Sequence, residues 1–130
     1  MFAFVKNDNG SNNPVIEIKP AAAATYEVGD TLKYDSSTGY VAHTYGTNKP
    51  DFVSACSVVA SAGDKIAVNP VYPGQTWQTT FSANASALKA GAKVTIASNS
   101  KQVTATTTSG VATLVIDGAA TNGMALVKFE

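Results

Sequence analysis

Three segments of this chain share one design, in which a glycine and two further residues lead into apolar side chains at alternate positions. They cover residues 28–34, 62–68 and 90–96. Glycine readily adopts the positive φ that a tight turn needs, and alternation of this kind is typical of a strand with one buried face. We therefore predict three turn-strand units whose core-facing side chains are Leu32, Tyr34, Ile66, Val68, Val94 and Ile96.

The remaining apolar runs are short and are separated by Gly, Asn, Asp and Pro, so they also predict strands. They lie at residues 39–43, 52–60, 76–81, 101–107, 111–116 and 124–129. Successive turn glycines are 34 and 28 residues apart, which is too irregular for a solenoid repeat. The pattern predicts an all-β, single-domain fold, either a small barrel or a sandwich.

One short helix is predicted between Ser82 and Gly91. Ser82 can cap its first turn, the alanines that follow favour helix, and Gly91 can close it. The alternative is a plain loop, because this length gives only about two turns.

Residues 1–24 differ in composition from residues 25–130, and we predict an extended N-terminal arm followed by the β domain. Phe2, Phe4 and Val5 form an apolar tip, and an Asn-rich stretch with little to bury follows them. A short strand could form at residues 15–18. The alternative is that the tip is the first strand of the domain and is followed by a loop.

The charge pattern excludes several classes of partner. The chain of 130 residues carries 9 basic and 9 acidic side chains, and every basic one is lysine. Arginine supplies the bidentate fork that nucleic-acid recognition favours, so we expect no nucleic-acid partner. The balance also argues against an anionic membrane surface. With 14% charged residues and no net charge, the protein is expected to associate.

The chain shows no signal-peptide pattern at its start and no apolar stretch long enough to span a bilayer. It is expected to be made and folded in a reducing cytoplasm. A single cysteine excludes an intrachain disulfide.

No motif for catalysis, metal binding or cofactor binding is present, so we predict no catalytic residue, no metal and no cofactor. His43 and Cys56 are the only residues of their types, and they do not form a zinc motif. Asp30 and Asp64 follow turn glycines, where aspartate commonly accepts a hydrogen bond from nearby backbone. The chain is therefore expected not to be an enzyme, although a carboxylate pair of a small hydrolase leaves no sequence signature.

Trp77 and Tyr72 are the candidate ligand-binding residues. If exposed beside the turn at residues 73–74, Trp77 would offer a stacking face to a sugar ring or an anchor to a protein partner. If buried, it is a core tryptophan.

The order of features from Tyr26 to Phe129, about four-fifths of the chain, resembles the small head decoration, or cement, proteins of tailed bacteriophages. The resembling segments are 28–33, 39–42, 62–68, 70–74, 88–96 and 126–129. The resemblance implies a compact β-barrel and brings no catalytic residues. It also implies a place on the outer capsid surface of a virion, the major capsid protein as partner, and a homotrimer that clamps neighbouring capsid subunits.

This resemblance makes a structural virion protein that stabilises a bacteriophage head the leading hypothesis. The tip residues Phe2, Phe4 and Val5 would then be the capsid-binding candidates, and deleting residues 1–6 is predicted to weaken capsid binding while leaving the fold intact. The alternative is a glycan- or receptor-binding module of a phage fibre or surface protein, with Trp77 and Tyr72 holding the ligand. A small hydrolase is the third.

Overall fold

The computed structural model describes residues 1–12, 14–106 and 109–130, and in these ranges the chain forms thirteen strands and no helix. The strands are β1 (Ala3–Asn7), β2 (Glu17–Pro20), β3 (Ala24–Tyr26), β4 (Thr31–Tyr34), β5 (Val41–His43), β6 (Phe52–Ser54), β7 (Val58–Ala60), β8 (Lys65–Pro70), β9 (Gln75–Thr80), β10 (Lys93–Ile96), β11 (Val103–Ala105), β12 (Ala112–Leu114) and β13 (Met124–Lys128).

The strands pair antiparallel into three sheets. A six-stranded sheet has the order β1-β9-β13-β12-β10-β11, a five-stranded sheet the order β2-β8-β6-β4-β5, and β3 pairs with β7. The predicted all-β class is confirmed, and the stacked sheets match the sandwich alternative.

Two apolar clusters hold these layers together. The first packs beneath the six-stranded sheet around Trp77 and Phe81, and the second packs around Tyr26 and Leu32. Phe52 and Val53 are consecutive residues of β6, yet Phe52 belongs to the second cluster and Val53 to the first. Because successive side chains of a strand point to opposite faces, the five-stranded sheet is a middle layer with core on both sides.

The three turn-strand units are present as predicted. Gly29, Gly63 and Gly91 have φ values of +91°, +87° and +90°. In each unit the residue after the glycine donates its backbone N–H to the carbonyl three residues earlier, at 3.0–3.1 Å. Five of the six predicted core-facing side chains are buried, and the exception is Tyr34, which is 43% exposed at the end of β4 and packs edge-on against Phe52.

The other predicted strands are found with shorter bounds. The segment 52–60 is divided into β6 and β7, and residues 39–43 supply β5. Residues 76–81, 111–116 and 124–129 contain β9, β12 and β13. Residues 101–107 contain β11, and residue 107 lies outside the described residues.

The helix predicted between Ser82 and Gly91 is wrong. Backbone groups in this segment bond to distant chain instead: Ala85 N–H donates to Ala119 O at 2.8 Å, and Gly91 N–H donates to Leu114 O at 2.8 Å. A segment this short gains little from helix formation, because the first helical turn is costly to nucleate. The described residues contain no helix long and apolar enough to cross a membrane.

Residues 1–24 are integrated into the sheets, which corrects the prediction of a separate arm and agrees with the first-strand alternative. β1 is an edge strand paired with β9, and β2 is an edge strand paired with β8. β3 begins at Ala24 and pairs with β7. The boundary predicted between residues 24 and 25 therefore falls inside a strand.

Candidate functional site

The predicted capsid-binding tip lies mostly inside the domain. Phe2 is 2% exposed, and its ring centroid is 5.5 Å from that of Phe129. Phe4 is partly buried and meets Trp77 edge-on at 5.5 Å. Val5 is half-buried where the β1–β9 register is irregular. Phe2 is therefore not available as an exposed anchor, and whether this strand contacts a capsid stays a prediction.

The predicted glycan platform is not assembled. Trp77 is 1% exposed and lies in the first cluster, so its ring cannot stack on a sugar in this conformation. Tyr72 is exposed, and its backbone N–H donates to the Gln75 side chain at 2.7 Å. The core interpretation of Trp77 is the one that the structure shows.

Trp77→Ala is expected to lower the free energy of unfolding by about 3–5 kcal/mol, because removing a large buried ring leaves a cavity. Chemical denaturation followed by circular dichroism measures the change. Tyr72→Ala is the matched control, since an exposed substitution is expected to change stability by about 0.5 kcal/mol or less. Similar midpoints for the two variants would contradict the core role of Trp77.

His43 and Cys56 are not brought together into a reactive pair. His43 stacks on the Tyr26 ring at a centroid distance of 4.8 Å, and its Nε2 lies 2.9 Å from Asp30 Oδ2. Cys56 is a free, partly buried thiol that packs against the second cluster. This agrees with the interpretation of Cys56 as a packing residue and of His43 as a strand-end residue.

The most densely charged place in the fold is a cluster around Asp30, whose side chain is fully buried. Asp30 Oδ2 accepts the Glu27 backbone N–H at 2.9 Å in addition to its contact with His43. Asp30 Oδ1 lies 2.7 Å from Lys101 Nζ, and the same ammonium is 3.5 Å from Glu27 Oε2. The Met1 amino group donates to Lys101 O at 2.7 Å. This cluster ties the chain start, the turn before β4 and the end of β5 to the turn before β11.

Opposing effects set the charge state of this cluster. Burial alone would raise the pKa of Asp30, but hydrogen bonds from Lys101, the Glu27 backbone and His43 together outweigh it and hold that pKa below its ordinary value. The hydrogen bond to Asp30 raises the pKa of Lys101 despite partial burial. The pair is therefore ionised at neutral pH, and its geometry is that of a structural ion pair.

Sequence reasoning found half of this cluster. It assigned Asp30 to a backbone hydrogen bond in a Gly-Asp turn, and Asp64 makes the equivalent bond to Ser61 N–H at 2.9 Å. It missed Lys101 and His43 as partners, because they are far along the chain and no local pattern marks them.

Within residues 1–12, 14–106 and 109–130 no pocket is found, and no group of three or more His, Cys, Asp or Glu side chains lies close enough to hold a metal ion. The features open to a partner are therefore surfaces. Val59 on β7 is 78% exposed, and Ile16 and Ile18 beside the free side of β2 are 64% and 59% exposed. We refer to residues 16–20 as the β2 edge.

The fold is similar to a solved structure, that of the N base of the head fibre protein gp8.5 of bacteriophage phi29. The two superpose with a TM-score of 0.62 over 91% of this chain and 95% of that one, at 19% sequence identity. No protein-family model matches the chain, and no curated protein matches it. The likeness is one of fold, and it extends over nearly the whole of both chains.

Proposed function

We propose that this protein is a structural component of a bacteriophage virion that attaches to the outer surface of the head. The observation that carries the proposal is the likeness in fold to the base of a phage head fibre, over nearly the full length of both chains. The order of turn-strand units in the sequence supports the same assignment independently. The protein would be made in the host cytoplasm and join the shell during assembly.

The proposed partner is the major capsid protein, and the proposed role is to cement neighbouring capsid subunits as a homotrimer. A stiff domain suits this role, because a clamp must transmit load without opening. β1 and the buried ion pair between Asp30 and Lys101 both stiffen the fold by joining segments distant in sequence. Binding of this kind needs surface complementarity and no chemistry at a catalytic centre, so the protein is proposed not to be an enzyme.

A second candidate within the same class is the base module of a head fibre, which would anchor a projecting part to the shell. The described origin of the similar structure, a fibre base, favours it. The two candidates share the contact with the head and differ in what lies beyond it.

Co-sedimentation with empty heads, assembled from the major capsid protein encoded in the same genome, tests the proposal. The purified chain is expected to pellet with the shells, to saturate at a fixed number of copies per capsid subunit, and to raise the temperature at which the shells break. Free, unassembled capsid protein is the control and is expected to bind much more weakly. Failure to saturate, or equal binding to free subunits, would contradict attachment to the assembled surface.

A further inference from the structure

The main-chain groups of Ile18 point away from the sheet. β2 is the outermost strand, and Ile18 lies opposite Ala67 of β8. Ala55 N–H donates to Ala67 O at 2.9 Å, so the main-chain groups of Ala67 point towards β6. Opposite residues of an antiparallel ladder either bond to each other or both point away. Ile18 therefore presents its N–H and C=O to the free edge.

The residues on either side of Ile18 fit this orientation. Pro20 lies two positions further on and points the same way, and its missing N–H is harmless where no strand is paired. Ile16 and Ile18 add two large apolar side chains along the same strand end, 64% and 59% exposed. Exposed edges of this kind bind a further strand readily.

The charges beside Ile18 are complementary to their own reversed order. Glu17 and Lys19 flank it and form an ion pair at 3.1 Å. In an antiparallel pair of two β2 strands centred on Ile18, Glu17 of each copy lies opposite Lys19 of the other. Centring the pair on Glu17 or on Lys19, or pairing the strands parallel in register, places like charges opposite each other, which is unfavourable.

We propose that the β2 edge binds a second copy of this chain, antiparallel, with Ile18 opposite Ile18. The two Ile18 residues exchange two main-chain hydrogen bonds, and Ile16 N–H of each copy donates to Pro20 C=O of the other. The two five-stranded sheets then become one continuous sheet. The chemistry that selects the partner is an extended edge with an acidic and a basic residue on either side of an isoleucine.

This contact has a twofold axis and closes after two copies. It is distinct from a threefold contact, and it joins two chains or two trimers, depending on which unit is present. The strand is short, so the buried area is below that of a standard stable interface and the association in dilute solution is weak. Neighbouring copies held on one surface would associate more strongly, because their effective concentration is high.

Symmetric cysteine cross-linking tests the register. Opposite Cα atoms of a hydrogen-bonded antiparallel pair are about 5.5 Å apart, a separation that a disulfide spans. Ile18→Cys with Cys56→Ser is expected to oxidise to a covalent dimer in most of the protein. Val59→Cys in the same background is the control, because this more exposed residue lies on β7. Equal cross-linking of the two variants would overturn the proposal.

Charge reversal tests the partner without a new thiol. In light scattering at rising concentration, the wild-type mass is expected to double, whereas Glu17→Lys and Lys19→Glu each prevent the increase. The double variant restores opposite charges and is expected to restore the doubling. Failure of that rescue would overturn the proposal, and so would single variants that keep the wild-type mass but lose binding to heads. Binding of all variants to heads would leave the proposed virion role untouched.

Discussion

Removing residues 1–6 is expected to destabilise the whole domain by about 5 kcal/mol or more, because the deletion takes away two core aromatic rings and most of an edge strand. Phe2 packs against Phe129, and Phe4 packs against Trp77. A small domain has only about 5–15 kcal/mol in total, so the truncated protein is expected to be largely unfolded or close to its unfolding midpoint at 25 °C. This reverses the expectation from sequence that the deletion leaves the fold intact.

Denaturant titration of Phe2→Ala measures the same effect one side chain at a time, with an expected loss of about 3–5 kcal/mol. Ala3→Ser is the matched control, because Ala3 is exposed and lies on the same strand. If Phe2→Ala and the deletion both kept the wild-type midpoint, the N-terminal segment would be an arm after all, and its packing in the core would be refuted.

Asp30→Asn is expected to lower the free energy of unfolding by about 2–4 kcal/mol. The change removes the anion that Lys101 and His43 contact in a fully buried position, and breaking a buried charge pair costs about 3–5 kcal/mol. The lower value applies here because the Lys101 and His43 side chains are about a third exposed and can regain water. Urea unfolding at pH 7 measures this loss.

The pH dependence gives a second reading of Asp30. Its folded pKa lies below the ordinary value of 3.8, so its ionised form stabilises the fold above that value and the contribution is lost as the pH falls through the folded pKa. The wild-type protein is therefore expected to lose stability in acid more steeply than Asp30→Asn. Asp64→Asn is the control, because Asp64 makes the same turn hydrogen bond. Parallel acid limbs for wild type and Asp30→Asn would contradict the ion-pair account.

The parts of the fold that sequence predicted well are those encoded locally. Gly29, Gly63 and Gly91 mark turns because few other residues adopt positive φ at low cost. The alternation that follows each glycine fixes which face of the strand is buried. These two signals together predicted β4, β8 and β10, and five of their six core side chains.

The parts that sequence missed depend on distant partners. An apolar tip followed by an Asn-rich loop has the same local pattern whether it projects as an arm or pairs as an edge strand, and only β9 decides the outcome. Trp77 is buried by Phe4, which comes from that same strand. The segment between Ser82 and Gly91 has helix-favouring alanines, but its backbone bonds to Ala119 and Leu114 instead.

The candidate surfaces were beyond sequence for a related reason. Apolar residues at the β2 edge look like core residues until the sheet order shows that no described strand covers them. The Asp30 cluster likewise needs the turn before β11 to lie against the turn before β4. Sequence identified the fold class and the kind of function proposed, while the contacts that would carry that function emerge only from the assembled sheets.

The most direct test of the proposed virion role is a cryo-electron microscopy reconstruction of heads assembled with and without this chain. We expect added density on the outside of the shell, at a regular set of capsid positions, into which the two stacked sheets fit. Density only inside the shell, or maps that are identical with and without the chain, would contradict attachment to the outer head surface.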